Sequence, residues 1–585
     1  MNYIALIPTL MPMAYMLYLN KNRASQLTYQ GAMFANAVVR APKTGKNEAR
    51  HIQTIRAIGD HTPFVKMGYS MGLLSDSGDS FGVDAGIGMG QTIYDLSTHL
   101  GVFGSTGAGK TTLLRTIFKQ VAASKSGTLM LDGKGYLARD CAKKLDAVID
   151  HTSPMNLLEG TSPEIFSSTL QELNEPDGGQ QGNGKFFSDS ARQGVFVAMV
   201  FHTALYRTYL NEVDQSKDKD KPYLNTLNNF KHMVDMLYRS DDEAFSAMNH
   251  MLADINGMEK QSQLYADAVA YYSNLLGMEG ETKQNIKSTI DAWLAPFFSS
   301  EKLRSWCDCA VSSVDILQTL KGKKVGVCLP ESEFPVAGKI ASALFKRNFY
   351  RAVQTRGDKL EDGNTKVFLF IDEAQRVVDS SDLAMLPMAR SMNLSCVFAT
   401  QNVESYKARY GEEKTLVMLD SLGSFVSLKS SHTTYEYLRN RIGKNRIWIE
   451  SSQSQSISYG LTTKLALANP VFDPTNPMRG WLKLHSFGVV RNMVSRLTLG
   501  SAGAKTGPGA YATMTLTQEP VFLLQDKDIQ VINTEPFTAI AVLQRAGVPR
   551  RDIIKTIPLD ADFNEIPVTV EQMLLTKNVD FGEVV

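Results

Sequence analysis

One stretch constrains this chain more than any other: residues 100–120, LGVFGSTGAGKTTLLRTIFKQ. Gly104, Gly109, Lys110 and Thr111 fill the pattern G-x-x-x-x-G-K-[ST]. The apolar run 100–103 can end a buried strand. Residues 112–123 have helical spacing, with Leu113, Ile117 and Val121 on one face. A glycine-rich turn between strand and helix crowds backbone N–H groups around an anion, and the helix start adds positive partial charge there. The predicted phosphate cradle is Gly104, Ser105, Thr106, Gly107, Ala108, Gly109, Lys110, Thr111 and Thr112. Lys110 is placed for the β/γ-phosphates of ATP, and the Thr111 hydroxyl for Mg²⁺. A turn that binds nothing would need motif and context to agree by accident.

A chain of 585 residues has room for roughly two to four domains. Its net charge of +1 gives no bulk attraction to nucleic acid. Contact with DNA must come from local patches, or from a modest set of residues repeated around a ring. The cysteines (Cys141, Cys307, Cys309, Cys328 and Cys396) are odd in number and scattered, which argues against a disulfide framework. Cys307 and Cys309 form a lone C-x-C with no second pair, so no zinc site is assigned.

Residues 3–19 are 17 consecutive uncharged residues, followed by Lys21 and Arg23. That length is at the short end for a membrane span, and the flanking charge puts everything after it in the cytoplasm. Residues 1–24 therefore read as a single-span anchor. Two rivals stand beside that reading. A cleaved signal peptide would lack its basic start and would send an ATP site where there is no ATP. The other rival is a buried N-terminal segment. Residues 25–80 read as a juxtamembrane linker and first strands. Its basic part, with Lys43, Lys46, Arg50 and Arg56, reads as a solvated loop rather than a headgroup contact.

After the loop, GTLMLD at 127–132 reads as a second buried strand, ending in a turn at 133–135. Residues 162–308 read as almost all helix, an all-α domain inserted into an α/β core. Leu227, Phe230, Val234 and Leu237 share one helical face, and so do Ile286, Ile290, Trp293, Leu294 and Phe297. Tyr271, Tyr272, Trp293, Phe297, Phe298 and Trp306 could stack on bases; at helical spacing the core reading is favoured.

The α/β pattern resumes with a strand at 324–329 and a helix at 338–356. Then comes KVFLFID at 366–372, followed by Glu373. Such a strand delivers Asp372 to the Mg²⁺ shell and Glu373 to the attacking water. Paired with the phosphate loop, this Asp-Glu is a strong signal. The strand at 393–400 ends at Gln401, which can hydrogen-bond a γ-phosphate. Arg390, just upstream, is either an arginine finger reaching a neighbour's nucleotide in a ring or a surface salt-bridge residue. A strand at 423–429 and a helix at 435–442 follow. Arg439, Arg441, Lys444 and Arg446 form a basic cluster that meets either phosphates or solvent. The ATPase domain is drawn as 81–161 plus 309–450. The tail, 451–585, completes that domain or docks a partner, with strand-like runs at 511–516 and 520–524 and a helix expected at 537–544.

Several pieces resemble the coupling ATPases of type IV secretion and bacterial conjugation, the TraD/TraG group related to the FtsK and HerA DNA pumps. They are STHLGVFGSTGAGKTT (97–112), LDGKG (131–135), ETKQNIKSTIDAWLAPF (281–297), VFLFIDEAQRV (367–377) and ARSMNLSCVFATQN (389–402). The resemblance implies a RecA-like P-loop ATPase with an inserted all-α domain and an anchor in the bacterial inner membrane. It implies ATP hydrolysis in a homohexamer, with Lys110, Thr111, Asp372, Glu373, Arg390 and Gln401 in ATP binding, hydrolysis, trans-subunit activation and γ-phosphate sensing. The implied partners are single- or double-stranded DNA, a relaxase within its relaxosome, and the components of the secretion channel. The chain departs from the group in having one weak span where two are usual, and in a tail with no recognised motif.

Two other readings use the same core. A channel-assembly ATPase would place several hundred residues before the phosphate loop, against 103 before Gly104 here; a soluble DNA pump would lack the span at 3–19. A nucleotide-gated recruiter of secreted proteins would use hydrolysis as a switch, and DNA-stimulated turnover discriminates it from a motor.

Overall fold

In the computed structural model the described residues are 64–457 and 510–564, apart from 78, 80, 176–182, 216–222, 240, 331, 361–362 and 560–561. They divide into two bodies, residues 64–443 with 523–564 and residues 444–457 with 510–522. The strands in chain order are β1 Phe64–Ser70, β2 Gly88–Thr92, β3 Leu100–Phe103, β4 Gly127–Asp132, β5 Ala147–Ile149, β6 Lys324–Cys328, β7 Val367–Asp372, β8 Leu394–Thr400, β9 Ser424–Ser427, β10 Lys444–Ile457, β11 Ala510–Phe522, β12 Thr538–Arg545 and β13 Val548–Thr556.

The larger body is built on an 11-stranded sheet of order β2-β1-β13-β12-β9-β3-β8-β7-β4-β6-β5. From β9 to β5 every neighbouring pair is parallel. From β9 to β2 every pair is antiparallel. The parallel half explains the continuous apolar runs, because helices cover both faces. In β7, Val367, Leu369 and Ile371 enter one buried cluster, while Phe368 and Phe370 enter the other. On the second face lies α1 (Lys110–Ala122), which buries Leu113, Leu114, Ile117, Phe118 and Val121. Phe118 meets Phe370 edge-on with ring centroids 5.8 Å apart. Each such large side chain contributes about 1.5–3 kcal/mol by leaving water.

Between β5 and β6 the long elements are all helices: α2 Pro163–Asn174, α3 Asn183–Gln215, α4 Leu227–Tyr238, α5 Asp242–Asp254, α6 Gln263–Leu276, α7 Gly280–Phe298 and α8 Glu301–Cys307. Five of these starts carry a capping side chain. Ser162, Thr226, Asp241, Ser262 and Ser300 each accept from a first-turn backbone N–H with the side-chain oxygen. Tyr272, Trp293, Phe297 and Trp306 are buried, and Tyr271 and Phe298 pack half-buried against them, so these rings serve the core. That core is continuous with the first face of the sheet: Phe166, Phe201 and Phe230 share a cluster with Leu129, Leu131, Leu369 and Ile371.

After β6 come α9 (Ala337–Arg356), α10 (Ser380–Ala389) and α11 (His432–Ile442). A buried ionic network joins α9 to α10 and α2. Lys346 Nζ donates to Val377 O at 2.7 Å and to the Asp382 carboxylate, and lies 3.4 Å from Asp379 Oδ1. Arg347 Nε donates to Asp379 Oδ2 at 2.9 Å, and its Nη2 to the Glu172 carboxylate. The Tyr350 hydroxyl donates to Asp382 Oδ1 at 2.6 Å.

One sequence expectation needs correction here. The helix expected at 537–544 is the strand β12. Ala539, Ala541 and Leu543 enter one core cluster while Ile540 and Val542 enter the other, so a short run buried on both faces carries no helical period. β1, from the 25–80 region, lies inside the main sheet. From the tail, β12 and β13 join the same sheet, preceded by the helix Asp526–Thr534.

In the smaller body β10 and β11 pair antiparallel, from Lys444↔Phe522 to Ile457↔Ala510, with an irregularity between Glu450 and Ser452. Residues 3–19 lie outside the described residues. Among the described residues no helix is long and apolar enough to cross a membrane.

Candidate nucleotide-binding site

The parallel order β3-β8-β7-β4 brings four strand ends to one edge, the edge where open α/β sheets hold their ligands. The loop after β3 is fixed at its base. Gly104 N–H donates to Thr400 O at 3.1 Å and Ser105 N–H to Lys429 O at 2.7 Å. Gly107 and Gly109 have φ of +81° and +95°, a left-handed backbone that glycine adopts without strain. A Cβ on Gly107 would meet nothing within 4 Å. At the loop's tip and the start of α1, the N–H groups of Gly107, Gly109, Lys110 and Thr111 have no partner among the described residues.

Opposite this cradle stand Asp372 and Glu373. Lys110 Nζ lies 3.0 Å from Glu373 Oε1 and 3.6 Å from Asp372 Oδ1. The Thr111 hydroxyl donates to Asp372 Oδ2 at 3.4 Å. Glu373 is wholly buried and has φ of +52°, a strained backbone for a residue with a Cβ, costing roughly 1–3 kcal/mol. It is held by its own N–H, which donates to Asp372 Oδ1 at 2.9 Å. Burial alone would push the Glu373 carboxyl up. Lys134, Lys110 and Gln375 outweigh burial and hold it at about 2. Asp372 goes the other way: burial raises it, Lys110 opposes and the Glu373 charge adds to the rise. Asp132 is the register partner of Asp372 across β4 and β7. Burial and that neighbour raise its carboxyl to about 6.

Gln401 lies at the end of β8, where its Nε2 donates to Glu373 Oε2 at 3.4 Å. The structure thus brings Lys110, Thr111, Asp372, Glu373 and Gln401 together. Arg390 lies elsewhere. It is exposed, and its guanidinium makes no ion pair or hydrogen bond among the described residues. It precedes the far end of β8, about 20 Å of strand from Gln401, so it does not serve the site of its own chain. Of the basic cluster, two members are used internally. Arg439 Nε donates to Leu524 O at 3.1 Å, and Arg441 Nη2 to Leu422 O at 2.9 Å.

Sequence reasoning missed two members of the site. Gln375 Nε2 donates to Glu373 Oε2 at 2.6 Å, and its Oε1 accepts from the Thr400 hydroxyl at 2.8 Å. Lys134 bonds Glu373 Oε1 through its ammonium. No local signal marks them: the pairing of β4 with β7, which sets the turn after Asp132 beside the turn after Asp372, is visible only in the sheet.

The donor set fits a magnesium nucleotide. Four free N–H groups and the Lys110 ammonium suit phosphate oxygens. Three carboxylates against two ammoniums leave acidic capacity for a divalent cation. Among the described residues no group of three or more His, Cys, Asp or Glu is arranged to hold a metal alone. Mg²⁺ at this site would therefore draw on Thr111, Asp372, phosphate and water, its usual pattern beside nucleotides.

Comparisons with known proteins bear on two stretches of the chain and on the fold. Residues 91–140 match the family described as "Helicase HerA, central domain". Residues 366–470 match the family described as "TraM recognition site of TraD and TraG". The chain is related to the TraD/TraG-type coupling proteins. Its fold is also that of a solved coupling protein. An unbound form of the bacterial conjugative coupling protein TrwBdeltaN70 is 12% identical with TM-score 0.50, over 87% of this chain and 91% of that one. The plasmid coupling protein TrwB in complex with ADP and Mg²⁺ is 12% identical with TM-score 0.50, over 86% and 97%. No curated protein sequence matches the chain. The likeness to TrwB places the large mixed sheet in the RecA-like α/β class, and the HerA match spans the loop of residues 104–112.

Proposed function

We propose that this protein is a membrane-anchored coupling ATPase that hands a DNA–relaxase substrate to a type IV secretion channel and drives DNA through a homohexameric ring. The match of residues 366–470 to the TraD/TraG family carries the reading, because that stretch begins on the very strand that presents Asp372 and Glu373. In this reading residues 1–24 anchor the chain in the bacterial inner membrane and the ATPase faces the cytoplasm. Residues 162–308 are the inserted all-α domain, on the substrate side.

At the site, the loop N–H groups and Lys110 bind and orient the β- and γ-phosphates. Thr111 and Asp372 hold Mg²⁺, which supplies charge neutralisation of the phosphates when bound. Glu373 orients the attacking water, and Gln401 reports the γ-phosphate to β8. Arg390 acts on the neighbouring subunit's nucleotide, which suits its free guanidinium and its distance from the site of its own chain.

The test of a motor is the ATPase rate of the detergent-solubilised full chain, with and without single- and double-stranded DNA, over a salt series. Stimulation severalfold or more, fading steeply as salt rises, is expected because each phosphate contact releases a counterion. A rate indifferent to DNA would transfer the role of hydrolysis to gating of a protein substrate. Arg390→Ala should cut ATPase in assembled rings by about 10³-fold or more, with nucleotide affinity within about twofold of wild type. Equal loss of activity in isolated monomers would refute the trans role.

A further inference from the structure

The site contains a second lysine that the phosphate-loop motif does not include. Lys134 sits in the turn after β4. Its N–H donates to Asp132 Oδ1 at 3.0 Å, which ties the turn to the strand end. On the far side of the turn Gly135 has φ of +79°, and a Cβ there would lie 3.2 Å from Cys328 Sγ and from Pro330. The turn is therefore closely packed, while the Lys134 side chain at its tip is 32% exposed.

Its ammonium bonds Glu373 Oε1, the same oxygen that Lys110 Nζ approaches at 3.0 Å. Two donors on one oxygen stand about 5 Å apart, given bonds of ordinary charge-assisted length. Lys110 is 8% exposed and Glu373 is closed to solvent, so Lys134 is the most exposed member of the trio. Two like charges share one carboxylate oxygen, an arrangement that an incoming polyanion relieves. A phosphate that takes Lys110 brings its terminal oxygens to the neighbourhood of Lys134. A diphosphate, shorter by one group, leaves Lys134 on Glu373.

We propose that Lys134 discriminates nucleoside triphosphate from diphosphate. In the nucleotide-free and diphosphate states its ammonium clamps Glu373, and a γ-phosphate draws the ammonium away and releases that carboxylate. The inference rests on the nucleotide-site reading of Lys110, and the experiment separates the two.

The measurement is equilibrium binding, not turnover. The affinity of the full chain for a fluorescent non-hydrolysable ATP analogue and for fluorescent ADP is titrated with Mg²⁺ present. Wild type, Lys134→Met, Lys134→Arg and Lys110→Ala are compared. Lys134→Met should weaken the triphosphate about tenfold and leave the diphosphate within about twofold. Lys134→Arg, which keeps the charge, should recover most of the loss. If Lys134→Met does not fold by circular dichroism, Lys134→Gln is read by the same criterion. Equal weakening of both ligands, or of neither, overturns the role given to Lys134. If Lys110→Ala binds both ligands as wild type does, the nucleotide site itself is misplaced and the inference falls with it.

Discussion

Lys110→Ala is expected to silence ATP hydrolysis while leaving the fold intact. The ammonium is the buried positive charge at the loop, and removing one preorganised electrostatic partner of a reacting group costs about 10²–10³-fold in kcat; loss of ground-state phosphate binding comes on top. The fold should tolerate the change because Glu373 keeps three other partners: Lys134, Gln375 and Gln401. The check pairs turnover with thermal denaturation. A variant that melts with wild type and hydrolyses nothing supports the site. A folded variant with wild-type turnover would remove Lys110 from it.

The largest stability effect is expected away from the nucleotide, in the network between α9 and α10. Lys346 and Asp382 are both 0% exposed and Asp379 is 1% exposed. Lys346→Met would leave two carboxylates facing each other in a dry interior. Burial already pushes Asp382 upward against the pull of Lys346, so without the lysine it must be protonated to stay buried. Breaking a buried pair by removing one partner costs about 3–5 kcal/mol. Urea denaturation should show that loss, and adding Asp382→Asn should restore part of it, as expected for residues that share one network. An unchanged midpoint in Lys346→Met would mean the pair carries no net energy.

The same network clarifies what could be read from the chain and what could not. The loop at 104–112 and the pair Asp372–Glu373 were legible because each lies at a strand end, where the backbone leaves few choices of position. The helices of 162–308 were legible from their period: Leu227, Phe230, Val234 and Leu237 share one face, and so do Ile286, Ile290, Trp293, Leu294 and Phe297. Lys346, Arg347, Asp379 and Asp382 carry no local mark, since their partners are brought close only by tertiary packing. Lys134 and Gln375 were hidden for the same reason: Lys134 reaches Glu373 from the end of β4, and Gln375 reaches Thr400 at the end of β8. β12 was misread because an apolar stretch buried on two faces has neither the alternation of a half-exposed strand nor the period of a helix. The sheet's order was legible least of all, because register between strands hundreds of residues apart leaves no local mark.

That order bears on how the protein is made. Gly68 of β1 pairs with Thr556 of β13, 488 positions later. At ribosomal speeds of about 5–20 residues per second, the first ribbon waits roughly 25–100 s for its neighbour. Until then β1 and the far side of β9 are both raw edges, the kind that pair with the wrong chain. The parallel half can close around the phosphate loop well before the wing is complete. A ribosome that stops before residue 548 therefore releases a chain whose nucleotide loop is finished and whose sheet is not. In the complete sheet β12 covers the edge of β9 and β13 covers that of β1, so these two strands are what seals the sheet against a stray partner.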